Sequence, residues 1–445
     1  MTGLIMAGQL ILGLAILVTL HELGHFLAAR AFGIRVEKFF LFFDAWGFKF
    51  FSFKKGDTEY GMGWLPLGGY VKIAGMIDES MDTEQLAREP QPWEFRSKPA
   101  WQRLIVMLGG VAMNVMLGIV IYSSLLLFNK KEYLPANEVK DGIYAYKMGQ
   151  ELGFQNGDKI VAINGRHLER FEDLLSTRIM FGATLTVERN GQTLEIVIPE
   201  NFYKTPGGNL RNNFNFIGLS ALECVVKKVV PGDFAEKAGI RTGDKLLMVA
   251  GEKIISDDDL RDKLAAFKGK ATMITVDRSG KSIDFETQVS QKGTIGVEYF
   301  IEPVSEKHYA MKRYTLSSAL VFGMSDAVEA VVSNAKGLKQ VFTGEVKPSE
   351  SVQGPIGIAQ IYGGQFDWGR FWTITGLLSM VLAFMNILPI PALDGGHVIF
   401  LIIESITRRK FSDKFMERSQ LVGMVIVLAL MVFAIGNDIW KHIIN

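Results

Sequence analysis

Four stretches of the chain carry no charge for longer than a helix in a soluble protein needs. Residues 3–20 form the first, with an apolar pattern that continues to Phe32, and residues 104–128, 371–393 and 419–437 form the others. About 20 apolar residues cross a bilayer as a helix, so each run predicts a membrane span. The first is not a signal peptide in pattern: it lacks a basic leading region, and a charged, histidine-bearing helix follows it directly. Between the second and third runs the pattern changes to short apolar strands and turns, and it repeats. Gly157-Asp158-Lys159-Ile160-Val161-Ala162-Ile163-Asn164-Gly165 is echoed by Gly243-Asp244-Lys245-Leu246-Leu247-Met248-Val249-Ala250-Gly251, and Asp173-Leu174 by Asp259-Leu260, at the same offset. A Gly-Asp turn, an apolar strand, a tight turn at glycine and a helix beginning near Asp-Leu predict a compact α+β unit, present twice. Residues 316–343 are amphipathic through Leu320, Met324, Ala327, Val328, Val331, Leu338 and Phe342. They predict a helix that lies on the outer membrane surface or packs on the repeated units.

Composition agrees with this mixture. Of 445 residues 48% are hydrophobic, and the mean hydropathy is +0.19. That is too apolar for an ordinary soluble protein and too polar for a bundle of spans alone. A net charge of +1 gives no reason to expect a nucleic-acid partner. The single cysteine, Cys224, excludes an intrachain disulfide. The short connection 404–418 carries Arg408, Arg409, Lys410, Lys414 and Arg418, whereas no basic residue precedes His21 and only Lys441 follows Asp438. The positive-inside rule therefore places 404–418 and 33–98 in the cytoplasm, and both termini and residues 129–370 outside.

The most specific short motif is His21-Glu22-Leu23-Gly24-His25, in the continuation of the first span. Positions i and i+4 share a helix face, so both imidazoles reach one metal. Glu22 lies about 100° round the helix, within reach of a water beside that metal. Zinc suits two nitrogens and a carboxylate with one open position. It lowers the pKa of a water towards about 7, and a nearby carboxylate takes the proton. Ionisable groups within a membrane helix cost about 2.5–3.5 kcal/mol each, so three within five residues point to a shared task. With the span starting near Gly3, His21 stands about 27 Å along the helix. That is inside a core about 30 Å thick, towards its cytoplasmic side.

Two histidines leave zinc under-ligated. Between Phe371 and Ile403 the only ionisable residues are Asp394 and His397, in the run Asn386-Ile387-Leu388-Pro389-Ile390-Pro391-Ala392-Leu393-Asp394-Gly395-Gly396. Two prolines and two glycines break the span there. Broken backbone at membrane depth is tolerated where it lines a cavity or is buried in protein, and its free polar groups can hold an extended chain. Asp394 is the predicted third ligand. His397 is the competing one, and a helix cap is the competing role for Asp394.

Together these residues resemble the site-2 protease family of intramembrane zinc metalloproteases, in its bacterial regulator-of-sigma-E (RseP) group. The resemblance rests on His21-Glu22-x-x-His25, on Asn386-x-x-Pro389-x-x-x-Leu393-Asp394-Gly395, and on a repeat that resembles tandem PDZ domains, strengthened in its second copy by Val230-Pro231-Gly232 and Ala238-Gly239-Ile240. Weaker matches are Pro66-Leu67-Gly68-Gly69-Tyr70-Val71-Lys72, Gly110 with Asn114, and Gly354-Pro355-Ile356-Gly357-Ile358. Where many relatives carry a Gly-Phe-Gly type motif, this chain reads Phe39-Phe40-Leu41-Phe42-Phe43-Asp44-Ala45-Trp46-Gly47-Phe48.

The resemblance implies cleavage, in the inner membrane of a bacterium, of the membrane segments of pre-trimmed single-span proteins such as anti-sigma factors, and of signal-peptide remnants. It implies Zn2+ as cofactor and Glu22 as catalytic base. It implies substrate contacts at Asn386, Pro389, Pro391, Gly68 and Gly69, and a membrane-re-entrant β element around residues 61–73, which alternation and glycines alone would make an interfacial hairpin. PDZ domains capture peptide ends as an added strand. Phe216-Ile217-Gly218-Leu219 and Thr294-Ile295-Gly296-Val297 are their candidate carboxylate loops, not assignable to one copy or the other from sequence.

The expected architecture is a polytopic α-helical membrane protein with a site-2 protease core of four transmembrane helices, two inserted α+β PDZ domains and a membrane-associated β element. Its parts are span 1 with the zinc motif (1–32), a cytoplasmic loop with the β element (33–98), span 2 (99–128), PDZ domains at 129–218 and 219–305, an amphipathic segment (306–369), span 3 with the Asn/Pro/Asp-Gly motif (370–403), a cytoplasmic loop (404–420) and span 4 (421–438). Two other readings compete. One is a different membrane metalloprotease with the same helical motif that acts on soluble or extracted proteins. The other is a non-enzymatic scaffold built around the PDZ pair.

Overall fold

The computed structural model describes residues 2–66, 68–76, 89–128, 132–140, 142–176, 179, 182–200, 216–219, 222–254, 257–303 and 312–441. It divides into two units, one of Met1–Lys131 with Tyr314–Asn445, the other of Glu132–Arg313.

In the first unit, five helices among the described residues are long and apolar enough to cross a membrane. Four correspond to the charge-free runs: α1 (Thr2–Ala31), α2 (Ala100–Phe128), α5 (Trp368–Asn386) and α7 (Asp413–Ile439). The fifth is α3 (Leu316–Phe342), the amphipathic segment. Its buried stripe of Ala319, Phe322, Gly323, Ala327 and Ala330 is met by α2 and α5. Gly323 lies on Ser123, and Ala327 and Ala330 pack with Val115, Ile119, Tyr122 and Met380. The first half of the helix thus runs back along α2, from Ser123 towards Val115.

The third apolar run does not stay helical to Leu393. It stops at Asn386, turns through residues 387–393, and restarts as α6 (Asp394–Thr407). Pro389 and Pro391 bring no N–H and their rings obstruct a continuing helix. The turn folds so tightly onto α6 that a side chain at Gly395 would strike the Ile387 and Leu388 carbonyls, and one at Gly396 the Pro391 backbone.

The ends of the helices are pinned by polar contacts. Gln9 of α1 donates to the Gly363 carbonyl at 2.9 Å, just beyond the short helix α4 (Pro355–Tyr362). The Tyr362 hydroxyl fits beneath Gly13 and meets Thr375 at 3.2 Å. At the same end, Asp438 of α7 accepts from the backbone N–H groups of Gly354, Ile356 and Gly357 at 2.9, 2.7 and 3.1 Å. Towards the other end Gly423 of α7 sits on Pro391 and Ala392, and Arg103 of α2 pairs with Glu404 of α6.

Residues 36–73 form a four-stranded sheet of β1 (Val36–Leu41), β2 (Lys49–Lys55), β3 (Thr58–Gly63) and β4 (Tyr70–Ile73), in the order β2-β3-β1-β4. Strand β1 is parallel to β3 and antiparallel to β4, with Phe40 opposite Tyr70. The stretch 61–73 is therefore not a hairpin: β1 lies between its two strands. This follows from the turn after α1, which delivers β1 into the sheet and buries Ile34, Val36 and Phe40. The segment that departs from the family pattern supplies β1, a turn and β2. Phe50, Phe51 and Phe53 are exposed on both faces of β2, beside exposed Trp46 and Phe48, a surface suited to apolar surroundings.

The second unit holds the repeat as two separate cores. The first copy contains β5 (Ile143–Ala145), β6 (Lys159–Ile163), β7 (Ala183–Arg189), β8 (Gln192–Ile198) and β9 (Ile217–Leu219). The second contains β10 (Leu222–Val229), β11 (Lys245–Val249), β12 (Ala271–Arg278), β13 (Lys281–Gln288) and β14 (Val297–Pro303).

The repeated Gly-Asp turns have the same reason in both. Asp158 binds Arg189 through two 2.7 Å contacts and accepts from the Gln155 N–H at 2.8 Å. Asp244 binds Arg278 through two 2.7 Å contacts and accepts from the Arg241 N–H at 2.7 Å. The copies differ at the predicted helix. Asp259-Leu260 lies in an α-helix, Asp257–Ala266, braced by an Asp259–Lys263 pair at 2.8 Å. Asp173-Leu174 lies in a short 3-10 helix, Phe171–Leu175. The two segments expected as carboxylate loops pair one with each copy. Of Phe216–Leu219 the last three residues are β9 itself, paired with β5 of the first copy, and residues 294–297 lead into β14, paired with β10 of the second.

Candidate metal centre

The helix α1 carries His21 and His25 on one face, as their spacing requires. Their Nε2 atoms lie 3.2 Å apart. The first turn of α6 brings Asp394 to them, with Oδ2 at 3.2 Å from His21 Nε2 and 3.3 Å from His25 Nε2. Asp394 is not the cap of α6. That position belongs to Leu393, and the Asp394 carboxylate turns Oδ2 to the two imidazoles. His397 stands one turn further on and is not part of the cluster.

The close approach depends on glycine. Helices α1 and α2 cross where Gly24 meets Gly109, each against the other's carbonyl. Gly110 then leaves room for both imidazoles, since a side chain there would land on His25 Nε2 and within 2.8 Å of His21 Nδ1.

The protonation of His25 follows from its partner. Nδ1 is 2.8 Å from the Val106 carbonyl, which only accepts, so Nδ1 carries a proton, and in the neutral ring that metal binding requires Nε2 presents a lone pair. Two imidazole lone pairs and a carboxylate oxygen pointing at one spot repel one another unless a cation sits there. Asp394 Oδ2 is buried without a hydrogen-bond partner, which fits the same conclusion. The three ligand atoms lie within 4.8 Å of one another, the only such set of three or more His, Cys, Asp or Glu side chains among the described residues. Two nitrogens and one oxygen in this arrangement fit zinc with an open fourth position.

The cluster opens into a cavity of about 690 Å³ lined by Glu22, Gly68, Gly69, β4, Asn386 and Asp394 among others. Glu22 faces it from α1, with the Val71 backbone of β4 close enough to hydrogen-bond its carboxylate. Asn386, the last residue of α5, puts Nδ2 3.2 Å from His21 Nε2. Pro389 and Pro391 do not line this cavity. Pro389 is exposed, and Pro391 packs its backbone on Gly396 and Gly423.

The whole-chain comparison decides what the cluster belongs to. The model of peptidase family M50 matches residues 9–430. The chain belongs to peptidase family M50. It is similar to a putative zinc metalloprotease of Xylella fastidiosa, 28% identical over 460 residues that cover 97% of both chains. It is also similar to the regulator of sigma E protease of Haemophilus influenzae, 28% identical over 450 residues, 97% of this chain and 98% of the relative. The regulator of sigma-E protease RseP of Salmonella typhimurium is 26% identical over 454 residues, 96% of this chain and 97% of the relative. This M50 peptidase is thus a zinc metalloprotease and a multi-pass membrane protein.

Three features of the M50 site had no role assigned from sequence. The Val106 carbonyl orients His25, and no side-chain pattern signals a backbone acceptor. Gly110 and Asn114, one helical turn apart on α2, form the wall behind both imidazoles, and their spacing was the available signal. Lys38, Asp44 and Tyr70 all line the cavity and bond to one another, Tyr70 to Asp44 at 2.9 Å and Lys38 to both at 3.3 Å. Their sequence separation gave no warning of that.

Proposed function

We propose that the protein is an intramembrane endopeptidase that binds zinc through His21, His25 and Asp394 and uses Glu22 as its base. The observation that carries this is the convergence of those three ligand atoms beside Glu22, in a cavity walled by α1, α2, α5 and α6 together with the sheet. Zinc bound there supplies Lewis-acid chemistry, polarising the scissile carbonyl and acidifying water. Glu22 takes the proton of the attacking water and delivers it to the leaving amine. Asn386 Nδ2, at the rim of the cluster, donates to the developing oxyanion. Strand β4 ends the sheet order and lines the cavity, so an unwound substrate segment adds there as a further strand, passing Gly68 and Gly69. The Pro389–Pro391 turn shapes this cradle by stopping α5 and aiming Asp394.

The substrates in this reading are pre-trimmed single-span proteins such as anti-sigma factors, cut in a bacterial inner membrane. The two repeat copies are PDZ domains that capture peptide ends at Phe216–Leu219 and at residues 294–297, and they lie on the outer side with both termini.

Four crossings are favoured over five by chain reach. Helix α3 is about 40 Å long and starts beside Ser123, near the outer end of α2. Ser349 is held by Asn437 at the end that also holds Asp438 and Gly354. The residues between Phe342 and Ser349 reach at most roughly 25 Å, too little to return from the opposite face.

The test uses purified full-length protein in detergent with a truncated single-span substrate. Glu22→Gln keeps its zinc and loses cleavage, and retained cleavage would remove Glu22 as the base. Asp394→Ala lowers zinc content with the helices intact, and unchanged stoichiometry would remove Asp394 from the site.

A further inference from the structure

Helix α2 contributes no ligand to the proposed zinc set, yet Val106, Gly110 and Asn114 lie on one of its faces at successive turns, against the two imidazoles. Val106 accepts from His25 Nδ1. Gly110 leaves the space for both rings. Asn114 is fully buried, and its side-chain amide is 3.3 Å from His21 Nδ1. The amide nitrogen faces that ring atom, while Asn114 Oδ1 is buried with no hydrogen-bond partner. That arrangement puts a donor against a ring nitrogen and strands an acceptor.

Rotation of the amide would instead turn its acceptor to the ring. The oxygen and nitrogen of a carboxamide exchange places on rotation about its last torsion, and they are assigned from hydrogen bonding. His21 Nε2 points at His25 Nε2 and Asp394 Oδ2, so as a metal ligand it must present a lone pair. The ring proton of neutral His21 then sits on Nδ1 and needs an acceptor. The rotated Asn114 supplies one at Nδ1, and its NH2 takes the place where the oxygen stood. Ser379 fixes this turn of α2 by donating to the Asn114 carbonyl at 2.7 Å.

We infer that Asn114 is a positioning residue whose Oδ1 accepts from His21 Nδ1–H, so that α2 orients both zinc-binding imidazoles, one through a backbone carbonyl and one through a side chain. The inference rests on the ligand set proposed above. It assigns α2 a part in holding the metal that neither histidine motif nor Asp394 motif contains.

Partners of this kind typically change metal affinity by about 10–100-fold when removed. The test measures zinc affinity of the full-length protein in detergent by competition with a chelator, alongside helical circular dichroism. Asn114→Leu, which fills the space without an acceptor, is expected to bind zinc about 10–100-fold more weakly. Asn114→Asp, which can only accept when ionised, is expected to stay within about threefold of wild type, since the partner it keeps is the one that carries the effect.

Equal losses of affinity in Asn114→Leu and Asn114→Asp would show that the donor of Asn114 matters, and would overturn the inference. Unchanged affinity in Asn114→Leu would overturn it too. If either variant fails to fold, 15N NMR of the histidine-labelled, zinc-loaded wild-type protein decides. The inference requires the His21 ring proton on Nδ1, and a proton on Nε2 refutes it. Failure of the underlying ligand set is distinguished by His21→Ala, which would then keep wild-type zinc affinity.

Discussion

Replacing Gly110 by alanine adds one methyl group at the place where the helix crossing leaves least room. The new Cβ would stand 2.6 Å from His21 Cε1 and 2.8 Å from His21 Nδ1, and closer still to His25 Nε2, whereas ordinary contact begins at 3.4 Å. The His21 ring must therefore recede by about 0.8 Å, and the backbone of α2 cannot give way because Gly109 is already against Gly24. Zinc ligands tolerate about 0.2 Å, and a misplacement near 1 Å can cost about 100-fold in rate. Gly110→Ala is expected to lower kcat/KM by about 100-fold or more, about 2.7 kcal/mol of transition-state stabilisation. Zinc affinity falls with it, while the helical circular dichroism is kept.

The internal control is Gly118→Ala, eight residues along the same helix. Its Cβ meets the sulfur and Cγ of Met380, about two turns beyond Gly110 and not among the atoms that touch either imidazole, so its cost falls on packing and not on the ligands. That variant is expected to cleave within about threefold of wild type, as for a small volume change next to methionine. The assay is cleavage of a single-span substrate in detergent together with chelator competition for zinc. If Gly110→Ala binds zinc and cleaves as Gly118→Ala does, the wall formed by α2 is not what holds the imidazoles.

Two further outcomes are expected. The carboxyl of Asp244 would be raised by burial, but the Arg278 side chain and the Arg241 N–H outweigh that and hold it below its usual value of 3.8. Its contribution to stability is therefore present above the unfolded-state pKa and is lost as pH falls through the lower folded-state value. Hydrogen exchange of the β11 and β12 amides in the full chain should be faster in Asp244→Asn than in wild type at neutral pH and converge with it in strong acid, and equal protection at neutral pH would refute this. Asp438→Ala leaves three backbone N–H groups at the start of α4 without their partner, at about 1–3 kcal/mol for each that stays dry. Proteolysis in detergent should open residues 349–362 first, and a digestion pattern identical to wild type would count against the latch.

The sequence alone was enough to place both histidines on one face, because a helix of 3.6 residues per turn permits nothing else for i and i+4. It also located the broken span, because two prolines within three residues cannot continue a helix whatever surrounds them. The duplicated turns were visible for a similar local reason: Gly-Asp recurs where each copy needs a carboxylate against an arginine. Interactions between segments distant in the chain were a different matter. That β1 divides β3 from β4, that α3 runs along α2, and that Pro391 supports α6 without facing the cavity all depend on long-range packing that local pattern does not encode. Asn114 shows the limit most clearly. Its spacing from Gly110 could be read in the chain, but its hydrogen-bonding partner could not, because that partner lies 93 residues away and meets it only where two glycines let the helices touch.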